Sequence, residues 1–193
     1  MKRILSLIAV IAAAATSLMA CGKKASATEA TNTESAPKVL VVYFSATGTT
    51  KAAAEKVAKA TGAELFEIKP TEAYPAADLD WTEKTSRCCK ENDDPKTRPA
   101  FEKSKESLDG YDLIFLGFPN WWNGAPRIIN TFKDTYQLKG KRVVMFMTSG
   151  GSGIENAEKV FKEAYPEVKW EAGKLINGKS EKEIGDWAKG YLK

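Results

Sequence analysis

The sequence contains no histidine. That absence removes Ser-His-Asp and Cys-His nucleophilic catalysis, together with every metal site built on imidazole. Cysteine is scarce as well. Cys21, Cys88 and Cys89 are too few for a four-thiolate zinc or iron–sulfur site and form no disulfide framework. No basic run interleaved with aromatics occurs, and the formal charge is only +4, so the electrostatic footprint of nucleic-acid binding is missing. Beyond the first residues there is no apolar run long enough to span a bilayer, which excludes a multi-span membrane protein. What is present is a chain of 193 residues, 43% apolar and 28% charged, sufficient for one α/β domain with a core. Its chemistry must come from a borrowed cofactor or from carboxylates, hydroxyls and backbone.

The amino terminus reads as an export signal. Lys2 and Arg3 precede an apolar run from Ile4 to Ala15 that only Ser6 interrupts, and Leu18-Met19-Ala20-Cys21 follows. This ending resembles the lipobox of bacterial lipoproteins, in which cleavage falls before the cysteine and lipid is attached to it. The resemblance implies a signal peptide over 1–20 and a lipidated Cys21. The other reading is a plain N-terminal membrane anchor. Gly22 to Pro37 contains only Gly, Lys, Ala, Ser, Thr, Glu, Asn and Pro, too little apolar surface to offset the entropy of ordering, so 21–37 is expected to be a flexible tether. The folded domain is then 38–193, lipid-anchored on the extracytoplasmic side of the cell membrane. Cleavage would remove Lys2 and Arg3 and lower the formal charge of +4 by two.

Three continuous apolar runs, Val39 to Phe44, Leu113 to Phe118 and Val143 to Met147, read as strands buried on both faces, the mark of a parallel sheet covered by helices. Weaker strands are expected at Glu64 to Ile68 and between Val168 and Ile176. Thr49 to Thr61 is alanine-rich and stops at Gly62, a C-terminal helix signal. Further helices follow Pro126 (with Ile128, Ile129 and Phe132), run along Ile154, Ala157, Val160, Phe161 and Ala164, and begin at Ser180. There Glu183 completes a capping box ahead of Ile184, Trp187, Ala188, Tyr191 and Leu192. The long segment from Pro70 to Gly110 holds one more helix, expected around Thr82 to Glu91 and ended by Asn92-Asp93-Asp94-Pro95. The order predicts an α/β three-layer sandwich around five parallel strands.

Three loops leave the carboxyl ends of the strongest strands, where ligands bind in such sheets. Ser45-Ala46-Thr47-Gly48-Thr49-Thr50 offers hydroxyls and backbone N–H groups at a helix start, with no lysine, which suits one phosphate held by neutral donors. A plain Ser/Thr turn that caps the helix is the blander reading. Pro119-Asn120-Trp121-Trp122-Asn123-Gly124 presents an aromatic platform for a flat ligand, or one tryptophan packed on the sheet and the other in an interface. Thr148-Ser149-Gly150-Gly151-Ser152-Gly153 exposes backbone and leaves room for a ring edge. It also holds a fragment of a dinucleotide fingerprint, whose third glycine is replaced by Asn156. A phosphate nest, an aromatic wall and a glycine loop along one sheet edge together fit FMN.

Ser45 to Thr50 resembles the flavodoxin phosphate loop, (S/T)-x-T-G-x-T. Ala73-Tyr74-Pro75, Arg98-Pro99, Gly110 through Trp122, and Gly150-Gly151-Ser152-Gly153 continue the likeness to the short-chain flavodoxin-like proteins of anaerobic and gut bacteria. The resemblance implies strand order 2-1-3-4-5 and non-covalent FMN. It implies that Ser45, Thr47, Gly48, Thr49 and Thr50 hold the phosphate. Pro119, Asn120, Trp121, Trp122 and Asn123 flank the ring, with Trp121 or Trp122 face-on, and Thr148, Ser149, Gly150 and Gly151 line the other edge. The implied activity is electron transfer with a redox partner protein or small acceptor, by a monomer or weak dimer. An FMN-dependent NAD(P)H:quinone or nitro-compound oxidoreductase is the second reading, and a tethered binding domain without flavin the third. Unlike in acidic flavodoxins, the second and third loops carry no Asp or Glu, and Arg127 lies close in sequence, so the expected potential of the second reduction step is raised. Cys88-Cys89 is expected to be two ordinary thiols, one buried and one exposed, rather than a redox pair.

Overall fold

The computed structural model describes residues 36–193. The expected signal peptide over 1–20, Cys21 and most of the tether lie outside the described residues. The parallel sheet consists of β1 (Val39–Tyr43), β2 (Glu64–Glu67), β3 (Leu113–Pro119), β4 (Arg142–Thr148) and two short pieces, β5 (Lys169–Trp170) and β6 (Lys174–Leu175). Its order is β2-β1-β3-β4-β5, with β6 also paired to β4. The fifth position is therefore one interrupted strand: β5 pairs Arg142 and Val143, and β6 pairs Phe146 and Met147. At the break, Gly173 sits where a side chain would meet the Met145 carbonyl at 2.8 Å, and its N–H donates to the Glu158 carboxylate.

The central strands are apolar throughout because each face is covered. Val39, Val41 and Tyr43 face one core with Ala54 and Val57 of α1 (Thr49–Thr61) and Ile184 and Ala188 of the last helix, Glu181–Lys189. Leu40, Val42 and Phe44 face a second core with helix Arg127–Thr135, through Ile128, Ile129 and Phe132, and helix Glu155–Ala164, through Ala157 and Phe161. Each fully buried side chain of this kind is worth ~1.5–3 kcal/mol.

The helix of the long segment, α2 (Arg87–Asp93), begins five residues later than expected. Asp80 accepts from the N–H and hydroxyl of Thr82, and Glu83 from those of Thr85, so these side chains close turns that compete with helix. Ser86 then caps α2, accepting from the Cys89 N–H. With α2 in place, the helices in chain order are α3 (Arg127–Thr135), α4 (Glu155–Ala164) and α5 (Glu181–Lys189). The apolar stripe expected on α4 is narrower than its sequence suggests, since Val160 and Ala164 are exposed. In α5 the capping box of Ser180 and Glu183 forms as expected. Tyr191 and Leu192 pack beyond its last turn rather than on it.

Candidate functional site

The ends of β1, β3 and β4 lie level, with Tyr43 opposite Gly117 and Pro119 opposite Thr148. The Asn120 N–H extends the ladder by donating to the Thr148 carbonyl at 2.7 Å. All three predicted loops therefore emerge side by side. In the first, Gly48 adopts φ 89 and caps α1 without a side-chain bond. Ala52 makes the first intrahelical bond, to the Gly48 carbonyl at 3.0 Å, so the N–H groups of Thr49, Thr50 and Lys51 precede the helical ladder with no acceptor in it. Ser45 Oγ accepts from the Gly48 N–H at 3.0 Å and draws the loop closed. Thr47 and Thr49 are exposed at its rim. Thr50 differs from them: it is buried, and its hydroxyl pairs with that of Thr148 at 2.8 Å, joining the first loop to the third.

The second loop is a tight hairpin. Trp121 and Gly124 exchange both backbone hydrogen bonds at 2.9 Å, with Trp122 (φ 47) and Asn123 (φ 61) between them. Two central residues with positive φ make the primed turn that suits a hairpin, yet a tryptophan there is strained. Asn156 Nδ2 braces the turn by donating to the Asn123 carbonyl at 2.7 Å. The two tryptophans part company. Trp121 packs edge-on against Phe44 and Tyr74, with ring centroids 5.8 and 5.5 Å away, while Trp122 stays 42% exposed.

Between the second and third loops lies a cavity of about 530 Å³. It is lined by Asn120, Trp121, Trp122 and Asn123 on one side, Ser149 to Ser152 on another, and Leu79, Trp81 and Cys88 from the long segment. No lining residue carries a charge. Asn120 Oδ1 is buried there without a hydrogen-bond partner, a costly state for an amide oxygen unless a ligand donates to it. The Ser149 N–H is held by Asn177 Oδ1 and the Gly151 N–H by Ser149 Oγ. A side chain at Gly150 or Gly151 would meet nothing within 4 Å, so openness toward the cavity rather than backbone contact distinguishes these positions. Ser45 to Thr50 do not line this cavity; the Thr50–Thr148 pair and the Phe44–Trp121 contact connect them to it.

Arg127 donates to the carbonyls of Glu91 and Asn92, at 3.1 and 2.8 Å, and so caps the end of α2; it does not line this cavity but lines a smaller one of about 170 Å³ on the other side of Trp121 and Trp122. Arg98 likewise turns away, to Asp134 at 2.6 Å. Both Cys88 and Cys89 are buried and unlinked, not one buried and one exposed. Burial pushes the Cys88 thiol up, which weakens it as a nucleophile. Sequence reasoning did not place Leu79, Trp81, Cys88, Ser152 or Asn177 at the site. For Trp81 the available signal was Asp80-Trp81-Thr82, where side chains that form local turns flank a tryptophan in polar surroundings. Behind Trp121, the Tyr74 hydroxyl donates to Glu91 at 2.7 Å, Arg87 pairs with the same carboxylate at 2.6 Å, and the Arg87 guanidinium lies 4.0 Å above the Tyr74 ring. Burial and Glu91 push the Tyr74 hydroxyl far above its ordinary range.

A parallel sheet of order 2-1-3-4-5 whose loops gather at the ends of β1, β3 and β4 defines a flavodoxin-type α/β protein. The family profile for flavodoxin matches residues 38–191, and the chain belongs to that family. Among solved structures, a candidate flavoprotein from Bacteroides eggerthii DSM 20697 is 51% identical, with a TM-score of 0.77, covering 80% of this chain and 97% of that one. Its counterpart from Bacteroides uniformis ATCC 8492 is 50% identical with a TM-score of 0.77, covering 80% and 99%. A flavoprotein in complex with FMN from Lactobacillus acidophilus NCFM is 26% identical with a TM-score of 0.64, covering 79% and 99%. No curated protein matches the chain.

Proposed function

We propose that the protein binds FMN without a covalent bond and serves as an electron carrier. The observation that carries this reading is the buried, unpartnered Asn120 Oδ1 in a cavity with no charged side chain, beside a loop of hydroxyls and free amides. An amide oxygen in that state suits the N–H edge of a flat heterocycle, and the neutral loop suits one terminal phosphate. The relative from Lactobacillus acidophilus in complex with FMN supports the same assignment. Bound FMN would supply one- and two-electron transfer. The chain's own residues would do the rest. Ser45, Thr47, Gly48 and Thr49 hold the phosphate, and Thr50 fixes the loop through Thr148. Asn120, Trp121, Trp122 and Asn123 form one wall, and Ser149, Gly150 and Gly151 the other. Of the two tryptophans, Trp122 is free to meet the ring, while Trp121 is engaged edge-on with Phe44 and Tyr74. Titration of the apoprotein with FMN, followed by tryptophan fluorescence, is expected to quench at one equivalent. Unchanged fluorescence and a colourless protein would overturn the assignment.

The same proposal includes location. Lys2-Arg3, the apolar run and Leu18-Met19-Ala20-Cys21 support cleavage before Cys21, lipid on its thiol, and a carrier that works on the outer side of the cell membrane with a redox partner there. Mass spectrometry of the mature chain is expected to show Cys21 at the amino terminus with attached acyl chains. An uncleaved chain, or an unmodified Cys21, would contradict this part alone.

A further inference from the structure

Asn156 stands where a dinucleotide fingerprint has its third glycine, and the side chain in place of that glycine reaches across to another loop. It lies in the first turn of α4, just after the glycine loop, and its Nδ2 donates to the Asn123 carbonyl of the tryptophan hairpin at 2.7 Å. Among the described residues this is the one hydrogen bond that reaches Trp122 or Asn123 from outside the turn. The two backbone bonds between Trp121 and Gly124 close the turn but do not hold its tip.

The tip needs holding. Trp122 (φ 47) and Asn123 (φ 61) both sit in the left-handed region, which asparagine tolerates and tryptophan disfavours. Packing does not fix the tip from behind, where the hollow of about 170 Å³ separates Trp121, Trp122 and Gly124 from Asn156, Ala157 and Val160 of α4. The α4 end of the bond is firm by contrast. Ile154 and Ala157 are buried on either side of Asn156, and Glu158 accepts from the Gly173 N–H. The bond therefore ties a strained tip to a fixed helix.

We infer that Asn156 is a positioning residue for the cofactor ring: it acts through the Asn123 carbonyl to hold Trp122 where the ring meets it. A wall fixed before the ligand arrives costs less to order on binding. This inference rests on the FMN assignment above and on Trp122 as part of the ring wall. The test is FMN titrated into the full chain and followed by flavin fluorescence. Asn156→Leu keeps the bulk of the side chain but donates nothing, and it is expected to raise the FMN dissociation constant about fivefold, the worth of one hydrogen bond. Asn156→Asp turns an ionised acceptor toward the carbonyl and is expected to lose at least as much. Asn156 is exposed, so neither variant is expected to disturb the fold. In a chain that already carries Trp122→Ala, the further loss from Asn156→Leu is expected to shrink below about twofold, because Asn156 acts through that indole. Unchanged FMN affinity in Asn156→Leu or Asn156→Asp would overturn the inference. A loss that persists undiminished beside Trp122→Ala would do the same, since it would come from a bond that serves only the fold of the hairpin. So would a Trp122→Ala chain that binds FMN as tightly as the unmodified one. An unmodified chain that binds no FMN would instead defeat the underlying assignment.

Discussion

The frame of the site and the segment that closes it are built on different principles. The loops after β1, β3 and β4 hang from a backbone ladder that continues past the strands, as in the Asn120–Thr148 bond. The segment from 70 to 110 adds Leu79, Trp81 and Cys88 to the same cavity without joining the ladder there. Besides a backbone bridge between Pro70 and Phe101 at its ends, it is held by side chains: Tyr74 and Arg87 on Glu91, Arg127 on the end of α2, and Arg98 on Asp134. A ladder depends little on which side chains it carries, so the frame defines where a ligand sits. A segment held largely by a few side-chain contacts can be rebuilt by few substitutions, so it shapes the open side of the cavity.

That contrast can be broken most forcefully at Glu91. Glu91→Ala removes the acceptor of both Tyr74 and Arg87 and leaves a guanidinium without its carboxylate, a loss of about 3 kcal/mol at the low end for buried pairs, since Arg87 is partly exposed. Urea unfolding measures it, and FMN affinity is expected to fall as well, because Tyr74 backs Trp121. Gly117→Ala strikes the frame instead. A Cβ there would lie 2.1 Å from the Phe146 ring, and the overpacking is expected to cost about 2 kcal/mol and to lower FMN affinity more than Glu91→Ala does, because it displaces the end of β3 from which the tryptophan loop hangs. If FMN affinity responds to both substitutions in proportion to stability, the two regions are not separable.

Thr148→Val sharpens the picture at the joint between loops. It strands the buried Thr50 hydroxyl, for an expected loss of about 1 kcal/mol, and FMN binding should weaken more than riboflavin binding because the displaced loop is the one proposed to hold the phosphate. The smallest effect is far from the site. The N–H and hydroxyl of Ser180 hold the Glu183 carboxyl down to about 2 from its ordinary 4.5. A lowered folded value means that this contribution is complete above 4.5 and is lost as the pH falls toward 2. Acid titration followed by circular dichroism should show α5 weakening in that window, and Glu183→Gln should flatten the change.

The frame was legible because its signals are local. Val39 to Phe44, Leu113 to Phe118 and Val143 to Met147 are unbroken apolar runs, Gly62 ends α1 in a left-handed conformation (φ 68), and Ser180 with Glu183 announces α5. The closing segment was not. Asp80 and Glu83 spend their side chains on turns where a helix was expected, which no periodicity reveals. Arg127 stands next to the tryptophan loop in sequence, yet its guanidinium reaches across to the carbonyls at the end of α2, a contact that no local pattern announces. The Thr50–Thr148 pair joins residues far apart in the chain, and the exposure of Trp81 depends on a turn whose path only the fold determines.

The central claim is that a neutral loop of hydroxyls and amides grips one phosphate next to a ring-sized cavity. The most direct measurement is the ratio of dissociation constants for riboflavin and FMN on the same apoprotein. We predict tighter binding of FMN by at least about a hundredfold, as expected for several charge-assisted hydrogen bonds to phosphate. Equal affinities, or no binding of either, would contradict it.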